Sequence, residues 1–217
     1  MRYKLVIFDM DGTILNTLED LKNCLNHALA ENNYPGRSLD EVRRFLGNGI
    51  HKLIERGVPE NTTSESIEKV FSDFNIYYKD HCMDLTKPYD GIIELIGELR
   101  SRGYLTAVVS NKLDFAVQEL VEKFFNGLFD VSVGERQGIA KKPAPDSVYS
   151  VLEELHIDKK DSVYVGDSEV DVATAMNAGI DSIIVEWGFR DRDFLESEGA
   201  RVFAKKPADV LDILENE

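Results

Sequence analysis

Positive charge is scarce in this sequence. Its 25 lysines and arginines face 40 aspartates and glutamates, which gives a formal net charge of −15 at pH 7. Such a surface repels nucleic acid and anionic membranes, so we expect neither as a partner. The same surface would repel a phosphate substrate. Any phosphate site must therefore obtain local positive charge from a metal ion, from lysine side chains or from main-chain N–H groups.

Cysteine is also scarce, and long apolar runs are missing. The two cysteines, Cys24 and Cys82, lie far apart and lack the spacing of a metal site, which favours buried thiols in a reducing compartment. No stretch approaches the ~20 apolar residues of a membrane span. The first residues lead directly into a predicted strand, so we expect no signal peptide. These features together predict a soluble cytoplasmic protein.

The chain shows neither internal repeats nor low-complexity segments. Its 217 residues are enough for one large domain, or for a domain that carries a sizeable insertion. Hydrophobic residues make up 43% of the chain, which is enough for a substantial core and too much for a disordered protein.

An apolar run near the N-terminus ends in two carboxylates. The run Leu5–Phe8 contains two β-branched residues and one aromatic residue, and it predicts a strand that is buried on both faces within a parallel sheet. Asp9 and Asp11 follow at its carboxyl end, where open α/β sheets bind ligands. Gly12 allows a sharp turn directly after them. This stretch therefore predicts one part of an active site, and residues from the rest of the chain must complete it.

Three chemical interpretations of these two carboxylates compete. A calcium loop of the EF-hand type needs a later glycine and a glutamate at its twelfth position, but Gly12 comes early and the twelfth position is Asp20. A dinucleotide-binding turn needs glycines where this chain has carboxylates. The third interpretation is a magnesium site with a carboxylate nucleophile. A simple acidic turn after a strand also fits two carboxylates alone, so the rest of the chain must decide.

The segment 14–84 has a helical pattern. Apolar residues between Leu18 and Leu29 recur at steps of three and four, as on one face of a helix. Two capping boxes predict the starts of two further helices; they are Ser38 with Glu41, and Thr62 with Glu65. We expect a small bundle of about four helices here.

Strands and helices alternate from residue 85 to residue 217. The predicted strands are 105–109, 129–133, 162–165 and 182–185, with a weaker one at 201–204, and the intervening segments have helical patterns. This alternation is typical of an α/β fold with a doubly wound, Rossmann-like parallel sheet. We therefore predict an α/β core formed by 1–13 and 85–217, with a helical cap inserted at 14–84.

Polar residues cluster where the predicted strands end. The clusters are Asp9 with Asp11, Ser110 with Asn111, Lys142, and Asp167 with Asp171. Each has an ordinary explanation when taken alone, as a turn, a helix cap or a solvated basic pair. Right-handed crossovers, however, place all such strand ends at one edge of the sheet. Their joint occurrence at that edge favours a common site.

Phosphoryl transfer needs these residue types. An aspartate with an ordinary pKa of ~3.9 is already ionised at neutral pH, so it can attack phosphorus without a base. Its charge repels phosphate unless a cation such as Mg²⁺ screens both, and Mg²⁺ prefers oxygen ligands. Asp9, a main-chain carbonyl near Asp11 and Asp167 would supply such ligands, while Ser110 and Lys142 can hold phosphate oxygens.

Four short motifs resemble, in order, the four motifs of the haloacid dehalogenase-like hydrolase superfamily. They are Asp9-Met10-Asp11-Gly12-Thr13, Ser110-Asn111, Lys142-Pro143 and Gly166-Asp167-Ser168-x-x-Asp171. The resemblance covers nearly the whole chain, and the helical insertion is similar to the cap of the phosphoglycolate phosphatase-like members. One departure is Asn16, where many relatives carry aspartate; it lies just past the catalytic pair.

The resemblance implies a role for each motif residue. Asp9 would be the nucleophile and Asp11 the general acid/base. Ser110, Asn111 and Lys142 would bind the substrate phosphate. The implied magnesium site comprises Asp9, Asp11, Asp167 and the supporting Asp171. The second aspartate of the first motif, Asp11, favours a phosphatase over a dehalogenase.

A glycine-flanked turn in the helical insertion resembles the cap segment of phosphoglycolate phosphatases. Its residues Gly47, Asn48 and Gly49 are the expected determinants of substrate specificity, although a plain interhelical turn explains them equally well. The expected function is a Mg²⁺-dependent phosphomonoester phosphatase with an aspartyl-phosphate intermediate, acting on a small organic phosphate such as 2-phosphoglycolate. The alternatives are a β-phosphoglucomutase-like mutase, a pyrophosphatase and a nucleotidase. A non-enzymatic binding scaffold would be expected to lack a catalytic carboxylate, and none is missing.

Overall fold

The computed structural model describes residues 2–216 and divides the chain into two compact units. One unit runs up to Leu15 and resumes at Pro88, and the other is Asn16–Lys87. Two short strands, β2 (Leu15–Asn16) and β3 (Lys87–Pro88), pair where the chain crosses the boundary. Within the described residues, none of the helices is both long enough and apolar enough to cross a membrane.

The first unit contains a six-stranded sheet in the order β5-β4-β1-β6-β7-β8. The strands are β1 (Leu5–Phe8), β4 (Leu105–Leu113), β5 (Val131–Glu135), β6 (Ser162–Gly166), β7 (Asp181–Val185) and β8 (Phe203–Ala204). Every pairing in this sheet is parallel. The predicted α/β class with a parallel sheet is confirmed, and so is the weaker last strand.

Helices connect these strands. They are α5 (Ile92–Ser101), α6 (Asp114–Phe125), α7 (Asp146–Leu155), α8 (Glu169–Ala178), α9 (Arg192–Ser197) and α10 (Pro207–Asn216), with a 3₁₀ turn at Lys159–Asp161. One core cluster packs sheet residues such as Ile7 and Val109 with Val148 of α7 and Ala175 of α8. The helix α8 ends as expected at Gly179, which takes the left-handed conformation with φ of 71°.

The strand β1 occupies the centre of the sheet. It pairs with β4 on one side and with β6 on the other, so that Leu5 lies opposite both Leu105 and Ser162. All four of its side chains are fully buried, and burying each such side chain stabilises the fold by about 1.5–3 kcal/mol. The apolar run before Asp9 thus fixes the position of that carboxylate at the centre of the sheet edge.

The end of β4 differs from the prediction. The sequence indicated a strand end at Val109, but β4 continues to Leu113, with a register shift against β5 between Val109 and Leu113. The prediction was wrong because the apolar pattern stops at Ser110, whereas the polar residues from Ser110 to Lys112 are themselves buried. β5 also begins two residues later than predicted, at Val131.

The helical unit contains α1 (Leu18–Glu31), α2 (Leu39–Phe45), α3 (Ile50–Gly57) and α4 (Ser64–His81). The capping box of Ser38 with Glu41 is present at the start of α2, as predicted. The second predicted box is wrong by one residue, because Thr63 caps α4 and accepts a bond from Ser66 N. The hydroxyl of Thr62 instead donates to the carbonyl of Pro59, which the spacing alone did not reveal.

One buried carboxylate fixes the end of the helical unit. Asp20 of α1 is only 2% exposed and accepts hydrogen bonds from the main-chain N–H groups of Leu85 (3.0 Å) and Thr86 (2.8 Å). A buried carboxylate is stabilised when it accepts such bonds. Cys24 and Cys82, in this same unit, are buried thiols, as expected.

Candidate active site

The predicted site residues of the first unit lie at the carboxyl ends of β1, β4 and β6, in the segment that leads into α7 and in the first turn of α8. Asp9 extends the pairing of β1, because its N–H donates to the carbonyl of Val165 at 2.9 Å. Ser110 and Asn111 lie within the last residues of β4, and Asp167 directly follows β6. Right-handed crossovers bring these positions to one edge of the sheet, although they are far apart in sequence.

Lys142 connects two of the carboxylates. Its ammonium Nζ lies 2.8 Å from Asp9 Oδ1 and 2.7 Å from Asp171 Oδ1. The lysine is 5% exposed. Burial alone would lower the pKa of Lys142, but the charges of Asp171 and Asp9 outweigh burial and hold that pKa well above its ordinary value. Lys142 is therefore protonated, and it places a positive charge at the edge of the sheet.

Asp9 is incompletely satisfied. Its Oδ1 pairs with Lys142 by charge, but among the described residues this oxygen has no partner with hydrogen-bond geometry. Burial, opposed by Lys142 and reinforced by Asp171, raises the pKa of Asp9 to about 7. A nearby cation would restore the ionised form of this carboxylate.

Asp167 is held on both of its oxygens. The hydroxyl of Thr13 donates to Oδ1 at 3.2 Å, and the N–H of Phe189 donates to Oδ2 at 2.7 Å. Burial raises the pKa of Asp167 well above its ordinary value, and the charges of Asp171 and Asp9 raise it further. Asp167 therefore has a fixed orientation, and burial together with the neighbouring carboxylates destabilises its ionised form.

Asp171 accepts hydrogen bonds on both of its carboxylate oxygens. Its Oδ2 accepts hydrogen bonds from the N–H groups of Asp167 and Ser168 and from the hydroxyl of Ser168, while its Oδ1 accepts from Lys142. It therefore caps α8 and orients the lysine. The ordinary interpretation of this motif as a helix cap is confirmed, and its functional interpretation stays a prediction.

Asn111 is directed at the main chain of Lys142. Its Nδ2 donates to the Lys142 carbonyl at 3.0 Å, and its Oδ1 accepts from the Lys142 N–H at 2.9 Å. This amide therefore positions the lysine. Ser110 Oγ accepts from the N–H of Lys112 at 3.2 Å, and Ser110 is 6% exposed.

The side chains of Lys112 and Tyr164 belong to the site and were not predicted. Lys112, whose side chain is fully buried, places its Nζ 2.8 Å from Asp11 Oδ1. Tyr164 of β6 accepts a hydrogen bond from Lys142 Nζ and donates to the Val109 carbonyl, both at 3.0 Å. The local balance of charge is the signal that could have found Lys112, because one lysine does not offset four clustered carboxylates. Nothing in the sequence around Tyr164 distinguishes it from a core aromatic residue.

The carboxylates fit a divalent cation. One oxygen from each of Asp9, Asp167 and Asp171 lies within 4.8 Å of the others, and carboxylate oxygens are the ligands that Mg²⁺ prefers. The raised pKa values of Asp9 and Asp167 indicate negative charge that the described residues do not fully balance. The carboxylate of Asp11 is outside this group and is paired with Lys112.

The glycine turn belongs to the helical unit, between α2 and α3. Gly47 and Gly49 have φ angles of 102° and 82°, a backbone conformation that disfavours other residues. Arg56 of α3 donates to the Phe45 carbonyl at 2.7 Å and fixes the end of α2 beside the turn. The predicted specificity residue Asn48 lies between the two glycines.

Comparison with known proteins identifies relatives over the whole chain. Residues 6–185 match the family model described as haloacid dehalogenase-like hydrolase. A phosphoglycolate phosphatase from Mesorhizobium japonicum is 30% identical and covers 99% of this chain and 96% of its own. Pyrophosphatase PpaX from Bacillus cereus is 28% identical and covers 100% of this chain and 98% of its own.

Solved structures agree with these sequence relatives. A candidate phosphoglycolate phosphatase from Lactobacillus delbrueckii subsp. bulgaricus superimposes with a TM-score of 0.93 at 38% identity, covering 97% of each chain. Another, from Haemophilus somnus, gives a TM-score of 0.91 at 28% identity and covers 99% of each chain.

Proposed function

Because this chain belongs to the haloacid dehalogenase-like hydrolase family, we propose that it is a Mg²⁺-dependent phosphatase whose catalytic cycle passes through a phosphorylated Asp9. The observation that carries the proposal is the contact of Lys142 with both Asp9 and Asp171 beside the buried Asp167. That arrangement offers a nucleophile, a cation for phosphate oxygens and oxygen ligands for a metal within one buried cluster.

The first chemical step is assigned to Asp9 and Asp11. An Asp9 carboxylate oxygen attacks phosphorus, and the ester P–O bond breaks as the aspartyl phosphate forms. Asp11 gives a proton to the departing oxygen. Asp11 then takes a proton from water, whose oxygen attacks phosphorus, so that phosphate leaves and the Asp9 carboxylate is regenerated.

The remaining residues bind and orient. Lys142 and the hydroxyl of Ser110 hold phosphate oxygens, and Asn111 keeps Lys142 in place through its main chain. Asp9, Asp167, the supporting Asp171 and a main-chain carbonyl near Asp11 would hold Mg²⁺. A bound Mg²⁺ would supply positive charge that offsets the repulsion between carboxylate and phosphate.

The proposed substrate is a small organic phosphate such as 2-phosphoglycolate. Support comes from the curated relatives named phosphoglycolate phosphatase, which match nearly the whole chain at 30% and 28% identity. Inorganic pyrophosphate is the second candidate, because relatives named pyrophosphatase PpaX also match nearly the whole chain. A phosphate-release screen with Mg²⁺ should include both compounds and a panel of other phosphomonoesters. The cytoplasmic location stays a prediction.

The substitution Asp9→Asn tests the mechanism. It should abolish turnover while preserving the fold, because amide and carboxylate have nearly the same size. Phosphate release and thermal unfolding should be measured together, with Asp158→Asn as the matched control, because that side chain is 78% exposed. In a crystal of the wild-type protein, beryllofluoride should be attached to Asp9. Turnover at the wild-type rate in Asp9→Asn would reject the aspartyl-phosphate route.

A further inference from the structure

A loop that the proposed mechanism does not use contacts Asp167. We call residues 186–190, which follow β7, the β7 loop. Its Trp187 donates from Nε1 to the carbonyl of Thr13 at 2.9 Å, and its Phe189 donates from the main-chain N–H to Asp167 Oδ2 at 2.7 Å. The hydroxyl of Thr13 donates to the other oxygen of Asp167. The β7 loop therefore contacts both Asp167 and the residue that holds its second oxygen.

Gly188 lies against the side chain of Asp167. A Cβ at position 188 would be 2.3 Å from Asp167 Cβ and 2.5 Å from its Oδ2, far inside van der Waals contact. Gly188 is not among the glycines with a positive φ, so the requirement for glycine follows from the space that Asp167 occupies. Gly12 meets Asp167 equally closely from the first motif, but its φ of 86° adds a conformational requirement.

The end of the β7 loop is fixed to α8. Arg190 makes two bonds to Glu169, from Nε to Oε2 at 2.7 Å and from its Nη2 to Oε1 at 3.2 Å. The arginine side chain is 11% exposed. Such a bidentate pair has a defined geometry as well as a favourable energy. Because Glu169 is two residues after Asp167, this pair fixes the end of the β7 loop close to the Asp167 carboxylate.

We propose that Gly188 is a positioning residue for the metal site: its missing side chain creates the space in which Asp167 is held in the orientation that binds Mg²⁺. The proposal rests on the proposed function in one respect, that Asp167 is a metal ligand. Residues that orient metal ligands typically affect metal affinity by about 10–100-fold when changed. We expect an effect of that size from a single methyl group at position 188.

The substitution Gly188→Ala tests this, with Gly97→Ala as its matched control. A Cβ at Gly97, within α5, would meet nothing within 4 Å. Calorimetric titration of the metal-free proteins with Mg²⁺ should show an affinity lowered by about 10–100-fold in Gly188→Ala, and wild-type affinity in Gly97→Ala. Wild-type affinity in a folded Gly188→Ala protein would overturn the proposal.

A stability cycle separates the packing from the metal. Asp167→Gly removes the Cβ and carboxylate that the new methyl group would meet. Gly188→Ala should therefore lower the melting temperature of the metal-free wild type more than that of the Asp167→Gly variant. If Gly188→Ala fails to fold alone, recovery of folding in the double variant supports the steric contact. Equal losses in both backgrounds would contradict it. If the wild type itself binds no Mg²⁺, the proposal that this site binds Mg²⁺ is wrong. The stability cycle still tests whether position 188 contacts the side chain of Asp167.

Discussion

Asp11 and Asp9 are two residues apart, yet they have different partners. Asp9 lies against Lys142, whereas Asp11 is paired with the buried Lys112 and its side chain is 23% exposed. A nucleophile needs a shielded, fixed position, and a proton carrier needs access to the leaving group and to water. The two environments therefore agree with the different roles proposed for the two carboxylates.

Asp11→Asn should slow both chemical steps. A positioned acid–base group typically contributes about 10²–10⁴-fold, and the loss should be largest for alkyl phosphates, whose leaving oxygen needs a proton. With p-nitrophenyl phosphate the leaving group departs unaided, so the phosphorylated enzyme should accumulate. Rapid-quench measurement of bound phosphate on both substrates checks this. Equal rates for the variant and the wild type on alkyl phosphates would contradict the proposed role.

At the scale of elements, β4 is the strand of the six-stranded sheet whose end differs most from its predicted position. Its last residues are polar and buried because their partners come from distant segments: Lys112 pairs with Asp11, and Asn111 binds Lys142. An apolar pattern signals only burial against apolar neighbours, so it ends where such polar pairs begin. The central strand β1, buried among apolar side chains, was predicted from its pattern for the same reason.

Asn111→Ala should displace the segment that carries Lys142. The change leaves a buried N–H and a buried carbonyl of Lys142 without their present partner, at a cost of about 1–3 kcal/mol in the free energy of unfolding. KM for the phosphate ester should rise, because the main chain of Lys142 loses the two hydrogen bonds that fix its position. Asn177→Ala is the control, since its exposed amide bonds to the neighbouring Pro143 carbonyl. Steady-state kinetics and denaturant unfolding that do not distinguish the two variants would count against the role of Asn111.

The motif residues and the β7 loop illustrate what one sequence can predict about a site. Local strings such as Asp9 to Thr13 carry their own signal, because strand, carboxylates and turn are adjacent. The contacts of Phe189 and Gly188 with Asp167 involve a main-chain N–H and a missing side chain. The sequence shows a glycine at position 188 but not what lies beside it, and nearly every residue has a main-chain N–H, so only the folded backbone reveals these two contacts.

At the scale of the whole molecule, we propose that the helical unit determines the choice of substrate. The proposed phosphate-binding residues of the core would contact only the phosphate group, which all candidate substrates share. Asn48→Ala should therefore lower kcat/KM for 2-phosphoglycolate more than for p-nitrophenyl phosphate. The flanking Gly47 and Gly49 keep the turn conformation in this variant. Equal effects on both substrates would indicate that the turn is only a connector.

The balance of charge over the molecule predicts how pH affects the metal-free protein. Burial raises the pKa of Asp9 to about 7, from ~3.9 in the unfolded chain. The folded state then holds more protons than the unfolded state, so the free energy of unfolding should fall as pH rises from about 4 to about 7. The raised pKa of Asp167 acts in the same direction.

Asp9→Asn should remove part of the decrease in the free energy of unfolding with rising pH, because the amide does not ionise. Asp158→Asn changes the net charge equally but should not remove any of this decrease. The comparison matters because a chain of net charge −15 also repels itself more strongly as pH rises. Mg²⁺ binds the ionised carboxylates, so its stabilising effect should grow with pH over the same range. Denaturant unfolding of the three proteins across this range, with and without Mg²⁺, measures both effects. Identical pH dependence in metal-free wild type and Asp9→Asn would show that Asp9 is ionised in the folded protein without help from a metal.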